Sequence, residues 1–282
     1  METFTKKQKF FNLTITKIIF ALLIFMAVVV IGQQIASRLL ALTPLDKDYR
    51  NLLKGILVST AAVSTYIIFF KKYDRRSITE FASKGLVGNL MMGALVGFVL
   101  QSSVILVIYL SDSYKVLFVN PISYILIPLA LMFTVAIIEE ILVRGIIFRL
   151  LEEKLGSYWA LSISSVIFGA LHLANANSTV LSTLCITTAG FMLGAAFIYK
   201  RNLWFPIALH FAWNFAQSGI YGAITSGNEK TTGWLTAEIN GPDFITGGAF
   251  GPEGSIQATV ICLIATLVLL YLSYKKNTLV AR

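Results

Sequence analysis

The chain contains a series of apolar runs, each about as long as the ~20 residues that a helix needs to cross a bilayer. The eight runs cover residues 17–36, 53–70, 86–110, 122–143, 158–174, 180–199, 203–224 and 255–274. Backbone groups in lipid must be paired within a segment, and no run alternates as a barrel strand does, so helices are predicted. The chain is expected to be an all-α, polytopic membrane protein with about eight transmembrane helices, forming a single integral membrane domain over residues 1–282.

The composition excludes a soluble fold. Hydrophobic residues make up 56% of the 282 residues, whereas charged residues make up 13%, about half of the ~25% that soluble domains carry. A soluble domain of this length has too little core to bury so much apolar surface, so membrane lipids are expected partners. The two cysteines, Cys185 and Cys262, lie inside apolar runs and predict no disulfide framework.

The net charge of +9 is explained by membrane topology and not by nucleic-acid binding. Lys and Arg accumulate in cytoplasmic connections, and here they favour every second connection. These residues are Lys6, Lys7, Lys9, Lys17, Lys71, Lys72, Arg75, Arg76, Lys84, Arg144, Arg149, Lys154, Lys200, Arg201, Lys275, Lys276 and Arg282. The other six basic residues lie in the alternate connections and are Arg38, Lys47, Arg50, Lys54, Lys115 and Lys230. We therefore expect both termini in the cytoplasm, and a compact chain of this kind is typical of a bacterial cell membrane.

Ionisable side chains inside transmembrane runs are costly and usually functional. The runs contain a short set of such residues, together with one amide that follows the second histidine by four positions: Glu139, Glu140, His172, His210 and Asn214. Glu140 and Arg144 are four residues apart, so they share a helix face and can form an ion pair. Glu139 is rotated by about 100° from Glu140 and cannot share that partner as easily.

Helical spacing also relates the other polar residues. His210 shares a face with Asn214, as Phe168 does with His172. Counting ~1.5 Å per residue along each run predicts that these groups form one cluster in the middle to cytoplasmic half of the membrane. The patterns Gly93-x-x-x-Gly97 and Gly190-x-x-x-Gly194 predict close helix contacts.

Such a cluster has the groups that peptide hydrolysis requires. A carboxylate beside an imidazole can hold and deprotonate a water, while a second imidazole and an amide can stabilise an oxyanion. The same groups could instead ligate a divalent metal that activates water. No Asp lies in any run, and His-Glu-x-x-His and Gly-x-Ser-x-Gly are absent, which excludes the other intramembrane protease chemistries.

Three motifs resemble one family. Residues 139–144 read Glu-Glu-x-x-x-Arg, residues 168–172 read Phe-x-x-x-His, and residues 210–214 read His-x-x-x-Asn. In this order, on three separate membrane helices, they resemble the CPBP family of CAAX proteases and bacteriocin-processing enzymes, also called Abi proteins. The Ras-converting CAAX endopeptidase is the eukaryotic relative. The resemblance covers residues 135–221 as a catalytic core.

The resemblance implies a role for each residue. Glu139 is the expected general base on water, and His172 is its partner in holding that water. His210 and Asn214 are the expected oxyanion donors. Glu140 and Arg144 form the supporting pair, and Phe168 belongs to the motif of His172.

Family members are described both as metalloproteases and as glutamate-based, metal-free enzymes. Zinc bound by Glu139, His172 and His210 is the metal alternative. We expect no metal cofactor, because these groups and an amide make a poor ligand set.

The expected function is that of an intramembrane endopeptidase, which hydrolyses a peptide bond near an apolar or C-terminal segment of a peptide or protein. In a bacterium, leader peptides, bacteriocins or signalling pro-peptides are expected substrates in place of prenylated proteins. The alternative is a catalytically inactive protein that binds peptides or confers bacteriocin immunity on the same fold. A transporter is disfavoured, since the polar groups form one cluster and no inverted repeat is visible.

Overall fold

The computed structural model describes residues 13–281, and most of them are helical. The elements in chain order are α1 (Thr14–Ala41), α2 (Lys47–Tyr73), α3 (Leu86–Leu110), β1 (Tyr114–Val119), α4 (Leu126–Glu140), α5 (Arg149–Leu171), α6 (Val180–Lys200), α7 (Trp204–Phe215), β2 (Leu235–Ile239), α8 (Asp243–Thr246) and α9 (Ile256–Lys275). Strands β1 and β2 pair antiparallel, with an irregularity between Val116 and Phe118. The all-α polytopic class is therefore confirmed, apart from this small ribbon.

Six helices in the described part of the chain are long and apolar enough to cross a membrane. The longest is a helical path of 53 residues, Ile122–Ala174, in which the π-helical turn Ile141–Phe148 joins α4 to α5. Gly156 breaks this path inside α5, with φ 77° and ψ 172°. The break yields two membrane segments, and α7 with its π-helical end Ala216–Ile220 adds a shorter one. The predicted number of eight is thus an approximation to six long helices, one of them interrupted, plus one short helix.

The connections between helices meet at two opposite ends of the bundle. At one end, here called the basic face, the connections 74–85 and 200–203 meet residues 276–281. Lys17 Nζ lies 2.6 Å from Asp74 Oδ1, the Leu203 N–H donates to the Glu80 carbonyl at 2.8 Å, and the Ser157 N–H donates to the Val280 carbonyl at 2.9 Å.

The other end, here called the site face, comprises the connections 42–46, 111–121, 172–179 and 221–255. The Asn175 side chain donates to the Ser226 carbonyl at 3.0 Å, and the Asn120 side chain donates to the Gly233 carbonyl at 3.0 Å. This grouping agrees with the alternation of basic connections. Which face is cytoplasmic stays a prediction, and Lys6, Lys7, Lys9 and Arg282 lie outside the described residues.

One basic residue does not belong to the connection to which the sequence assigns it. The fourth apolar run was expected to end at residue 143, which would leave Arg144 in a cytoplasmic loop. The π-helical turn Ile141–Phe148 instead continues the helix, and the Arg144 side chain is fully buried. The topology argument therefore depends on the other basic residues.

Close helix contacts form at both predicted glycine patterns and hold α6 and α7 in place. A Cβ added at Gly93 would lie 2.4 Å from the Phe205 carbonyl oxygen, and one at Gly97 would lie 2.1 Å from that of Leu209. A Cβ added at Gly190 would lie 3.0 Å from the Ser165 Cα. Backbone-to-backbone packing of α3 on α7 and of α5 on α6 thus requires glycine at these positions.

Candidate active site

A buried ion pair forms the base of the candidate site. Arg144 Nη1 donates to Glu140 Oε1 at 2.8 Å, and neither side chain is exposed. Arg144 Nη2 donates to the Gly190 carbonyl at 2.9 Å, and the guanidinium lies 4.5 Å from the centre of the Phe168 ring. The ion pair expected from the four-residue spacing therefore forms, and it also ties α4 to α6.

Glu140 holds His210 as well. His210 Nδ1 lies 3.0 Å from Glu140 Oε1, so a carboxylate oxygen that already accepts from Arg144 also faces the imidazole. A carboxylate accepts, which assigns a proton to Nδ1. The opposite nitrogen, Nε2, is 3.8 Å from Glu139 Oε2, which is too long for a direct hydrogen bond.

Glu139 is the exposed member of the glutamate pair. Its side chain is 32% exposed, yet its Oε2 atom is buried and has no hydrogen-bond partner among residues 13–281. The carboxylate lines an open cleft of about 580 Å³ with His172 and Asn214. Adjacent glutamates therefore differ sharply, because one is fixed in the core and the other faces the cleft.

The motif Phe168-x-x-x-His172 sets the orientation of the second histidine. His172 Nδ1 lies 2.8 Å from the Phe168 carbonyl oxygen. Since a carbonyl only accepts, Nδ1 carries the hydrogen, and the neutral ring has its lone pair on Nε2. The Phe168 ring lies 4.7 Å from the His172 ring and 6.0 Å from the His210 ring, so it packs beside both imidazoles.

Asn214 follows His210 by one helical turn on α7. Its side-chain amide makes no hydrogen bond to the part of the chain that the structure describes, although the residue is only 5% exposed. It lines the cleft and also a small cavity of about 30 Å³ next to both histidines. The structure thus brings together Glu139, His172, His210 and Asn214, with Glu140, Arg144 and Phe168 behind them.

Loop residues of the site face cover the cleft. His172 directly follows α5, and the connection after α7 contributes Thr225, Ser226 and Glu229 to the cleft. His210 instead lies six residues after the start of α7 at the basic face, so the polar groups come from different levels of the bundle. The expected position of the cluster in the middle to cytoplasmic half of the membrane stays a prediction.

Sequence reasoning missed one carboxylate in the site. Glu253 is 5% exposed and lines the small cavity with both histidines and Asn214. It accepts hydrogen bonds from the Ser226 N–H at 2.5 Å and from Ser226 Oγ at 2.6 Å. Burial raises the pKa of Glu253, and the Ser226 hydrogen bonds only partly oppose this effect. An acidic residue three positions before a membrane helix was the available signal, but the glycines around it favoured an interpretation as a turn.

The metal alternative would bind Glu139, His172 and His210. Among the described residues, no group of three or more His, Cys, Asp or Glu side chains is arranged to hold a metal ion. Nδ1 of His210 is held by Glu140 and Nδ1 of His172 by a carbonyl, contacts that metal-bound histidines also make, so Nε2 of each ring stays available. The metal alternative therefore stays a prediction.

Comparisons with known proteins agree with the motifs. Residues 121–216 match the family model described as type II CAAX prenyl endopeptidase, Rce1-like. A stretch of 78 residues, 28% of this chain, is 37% identical to a Bacillus subtilis (strain 168) protein named "Putative membrane peptidase YdiL". The match spans 30% of that relative's length. No solved structure matches the chain significantly.

The matched region contains all three motifs, from Glu139 to Asn214, together with the buried pair that supports them. The comparisons therefore support the resemblance of residues 121–216 to the CAAX proteases of the CPBP family.

Proposed function

We propose that the chain is an intramembrane endopeptidase that hydrolyses a peptide bond near an apolar segment of its substrate. The observation that supports this most is the unpartnered Glu139 carboxylate on an open cleft, across from His210 and beside a free amide on Asn214. A buried carboxylate oxygen without a partner is rare in proteins, and a reacting water would satisfy it.

The proposed reaction uses water as nucleophile. Glu139 and Nε2 of His172 hold the water, and Glu139 removes a proton as the oxygen adds to the peptide carbonyl carbon. The resulting oxyanion accepts hydrogen bonds from Asn214 Nδ2 and His210 Nε2. The C–N bond then breaks, and the proton on Glu139 passes to the departing amine, so that water is divided between the two products.

His210 acts as an oxyanion donor only when its ring carries both protons, because Nδ1 already donates to Glu140. The charged ring lies between two carboxylates, Glu139 and Glu140, and these favour it electrostatically. Glu140 and Arg144 touch no substrate in this scheme. They are positioning residues that hold His210 and the backbone of α6.

The walls of the cleft suggest the kind of substrate. Leu131, Met132 and Val135 of α4 form an apolar side, whereas Asn228 and Glu229 from the α7–β2 connection form a polar side. An extended peptide with an apolar segment on α4 would contact both. In a bacterial membrane, leader peptides, bacteriocins and other pro-peptides have this character, and lipid would surround their apolar parts.

Cleavage by the purified full chain in detergent tests the proposal. Quenched fluorescent peptides with apolar segments are incubated with wild type, Glu139→Gln and, as matched control, Glu238→Gln, which makes the same change at an exposed position on β2 outside the cleft. We expect Glu139→Gln to lose at least ~100-fold in kcat/KM, as for other general bases, with thermal unfolding unchanged. Glu238→Gln should retain activity.

The same assay distinguishes the alternatives. Activity that survives a chelator supports the metal-free reaction, whereas activity lost with chelator and restored by Zn²⁺ would refute it. Retained hydrolysis in Glu139→Gln would exclude this residue as base. If folded wild type binds the peptides and cleaves none, the peptide-binding or immunity alternative replaces the proposal.

A further inference from the structure

A large cavity lies away from the candidate active site. It has a volume of about 630 Å³ and lies between α1, α2 and α4. An adjoining cavity of about 300 Å³ shares Ser37, Asn51 and Lys54 with it. We call the two together the α1–α2 cleft. Neither the proposed reaction nor the family motifs use any of its polar side chains.

Positive charge is concentrated in the α1–α2 cleft. Arg38, Lys47, Arg50 and Lys54 line it, and neither cavity is lined by a carboxylate. None of the four forms an ion pair with a described residue, although Lys17, Arg76, Arg149 and Arg201 elsewhere do. Like charges at close range repel one another. An anion between these four side chains would therefore be favourable.

Few basic residues lie elsewhere on the site face. Apart from these four residues, the site-face connections hold only Lys115 and Lys230, and Lys230 donates to the Ala237 carbonyl. Most of the positive charge on this face is thus carried by one helical hairpin.

The α1–α2 cleft is charged at one end and apolar at the other, which suits an amphiphilic ligand. Arg38 lies one turn before the end of α1, and Lys47 and Arg50 lie in the first turn of α2, so the charges are at the level expected for lipid headgroups. Deeper in the cleft, Val58, Ile127 and Leu131 form an apolar wall.

From this arrangement we infer that the α1–α2 cleft binds the phosphate of an anionic phospholipid. The half-buried Arg50 and Lys54 hold the phosphate, Arg38 and Lys47 flank it at the rim, and an acyl chain lies along the apolar wall. Ser37 and Asn51 supply neutral hydrogen-bond donors at the junction of the two cavities. The inference is independent of the proposed peptidase activity.

Native mass spectrometry of the full chain in detergent tests the inference. The protein is incubated with phosphatidylglycerol or with phosphatidylcholine of the same acyl chains, and retained lipid is counted. The test variant is Arg50→Gln/Lys54→Gln. The matched control is Lys71→Gln/Lys72→Gln, which removes two exposed charges from the other end of the same helix.

We expect wild type and control to retain phosphatidylglycerol at least ~10-fold more than phosphatidylcholine. The test variant should lose this preference by ~10-fold or more, which corresponds to ~1.4 kcal/mol. A second variant, Arg38→Gln/Lys47→Gln, changes only exposed side chains and should weaken retention without affecting the fold. Equal retention of both lipids by wild type would overturn the inference, as would unchanged retention by both variants.

A third arm identifies the source of the phosphate. Inorganic phosphate at millimolar concentration is added to the protein loaded with phosphatidylglycerol. Failure to displace the lipid supports a phospholipid as the ligand, because the acyl chain then contributes to binding. Complete displacement would assign the α1–α2 cleft to free phosphate and overturn the lipid assignment.

Discussion

Glu140 Oε1 joins three elements of the site through one atom. It accepts from Arg144 on the same helical path and faces Nδ1 of His210 on α7, while Arg144 reaches the Gly190 carbonyl on α6. Every partner is buried, so water cannot replace any of them. Residues that touch no substrate in the proposed reaction thus decide where the imidazole of His210 lies.

Removal of the Arg144 guanidinium is expected to destabilise the protein strongly. Arg144→Ala leaves the Glu140 carboxylate buried without its cation, which costs about 3–5 kcal/mol in comparable pairs. Arg144→Lys keeps the charge but cannot maintain both hydrogen bonds, so an intermediate loss is expected. Chemical unfolding in detergent measures both variants. A loss below ~1 kcal/mol for Arg144→Ala would contradict the assignment of a structural pair.

The buried Glu253 is expected to give a distinct pH dependence of stability. Burial raises its pKa in the folded state, whereas the unfolded chain has the ordinary value of ~4.3. As pH rises through this interval, the unfolded state loses its proton first and stability falls. Glu253→Gln removes this contribution, so its thermal midpoint relative to wild type should be higher at pH 8 than at pH 5.

An exposed carboxylate provides the control for this measurement. Glu238 lies exposed on β2, near the site face. Glu238→Gln should follow the wild-type pH profile at a constant offset. A constant offset for Glu253→Gln as well would show that the Glu253 carboxylate titrates alike in the folded and unfolded chains.

Residue spacing could predict only the local part of this site. The Glu140–Arg144 pair follows from four-residue spacing on one helix, and the unlike position of Glu139 follows from its 100° rotation. The contact between Glu140 and His210 joins residues 70 apart in sequence, and that of Glu253 with Ser226 joins residues 27 apart. Such contacts depend on how helices pack, which spacing within one helix does not determine.

The position of helix α7 matters most for the site, because α7 carries both His210 and Asn214. Its contact with α3 is made by backbone atoms at Gly93 and Gly97. Close approach of two helices requires residues without side chains at the crossing. The glycine pattern of α3, although it has no chemistry of its own, therefore determines how far α7 lies from the helices that carry Glu139 and His172.

A methyl group at this crossing is expected to reduce both stability and activity. In Gly97→Ala the new Cβ would meet the Leu209 carbonyl oxygen at 2.1 Å, so α7 must move. Overpacking of this kind costs about 1–3 kcal/mol. Gly88→Ala is the matched control, because nothing lies within 4 Å of a Cβ at that position on the same helix. Thermal unfolding and peptide cleavage measure both variants, and equal effects would contradict the role of the crossing.

Helix boundaries were predictable where the apolar run ended in polar residues, as for α3 at residues 86–110. They were wrong at the end of the fourth run, where Arg144 indicated a loop. The guanidinium is instead neutralised and hydrogen-bonded inside the protein, so the helix continues through a π-helical turn. A charged residue ends a membrane helix only where no buried partner neutralises it. Partners on other helices cannot be recognised from the local sequence.

For the whole molecule, the two faces have different electrostatic characters. Some charges of the basic face form ion pairs that connect distant segments, such as Arg201 with Glu152 and Arg149 with Asp74. The site face carries the active-site cleft and the unpaired cations of the α1–α2 cleft. Leu131 of α4 lines both clefts, so a ligand in one contacts the wall of the other. Substrate and lipid are thus expected to reach the protein from the same side of the membrane.

The substrate is expected to enter the active-site cleft from outside the cell. The distribution of Lys and Arg predicts a cytoplasmic basic face, and the site face would then lie outside the cell. Glu229→Cys on the cleft rim should react with a membrane-impermeant maleimide in intact cells, whereas Lys84→Cys should react only after permeabilisation. The native Cys185 and Cys262 are buried and should contribute little background. The reverse pattern would place both the cleft and its substrates in the cytoplasm.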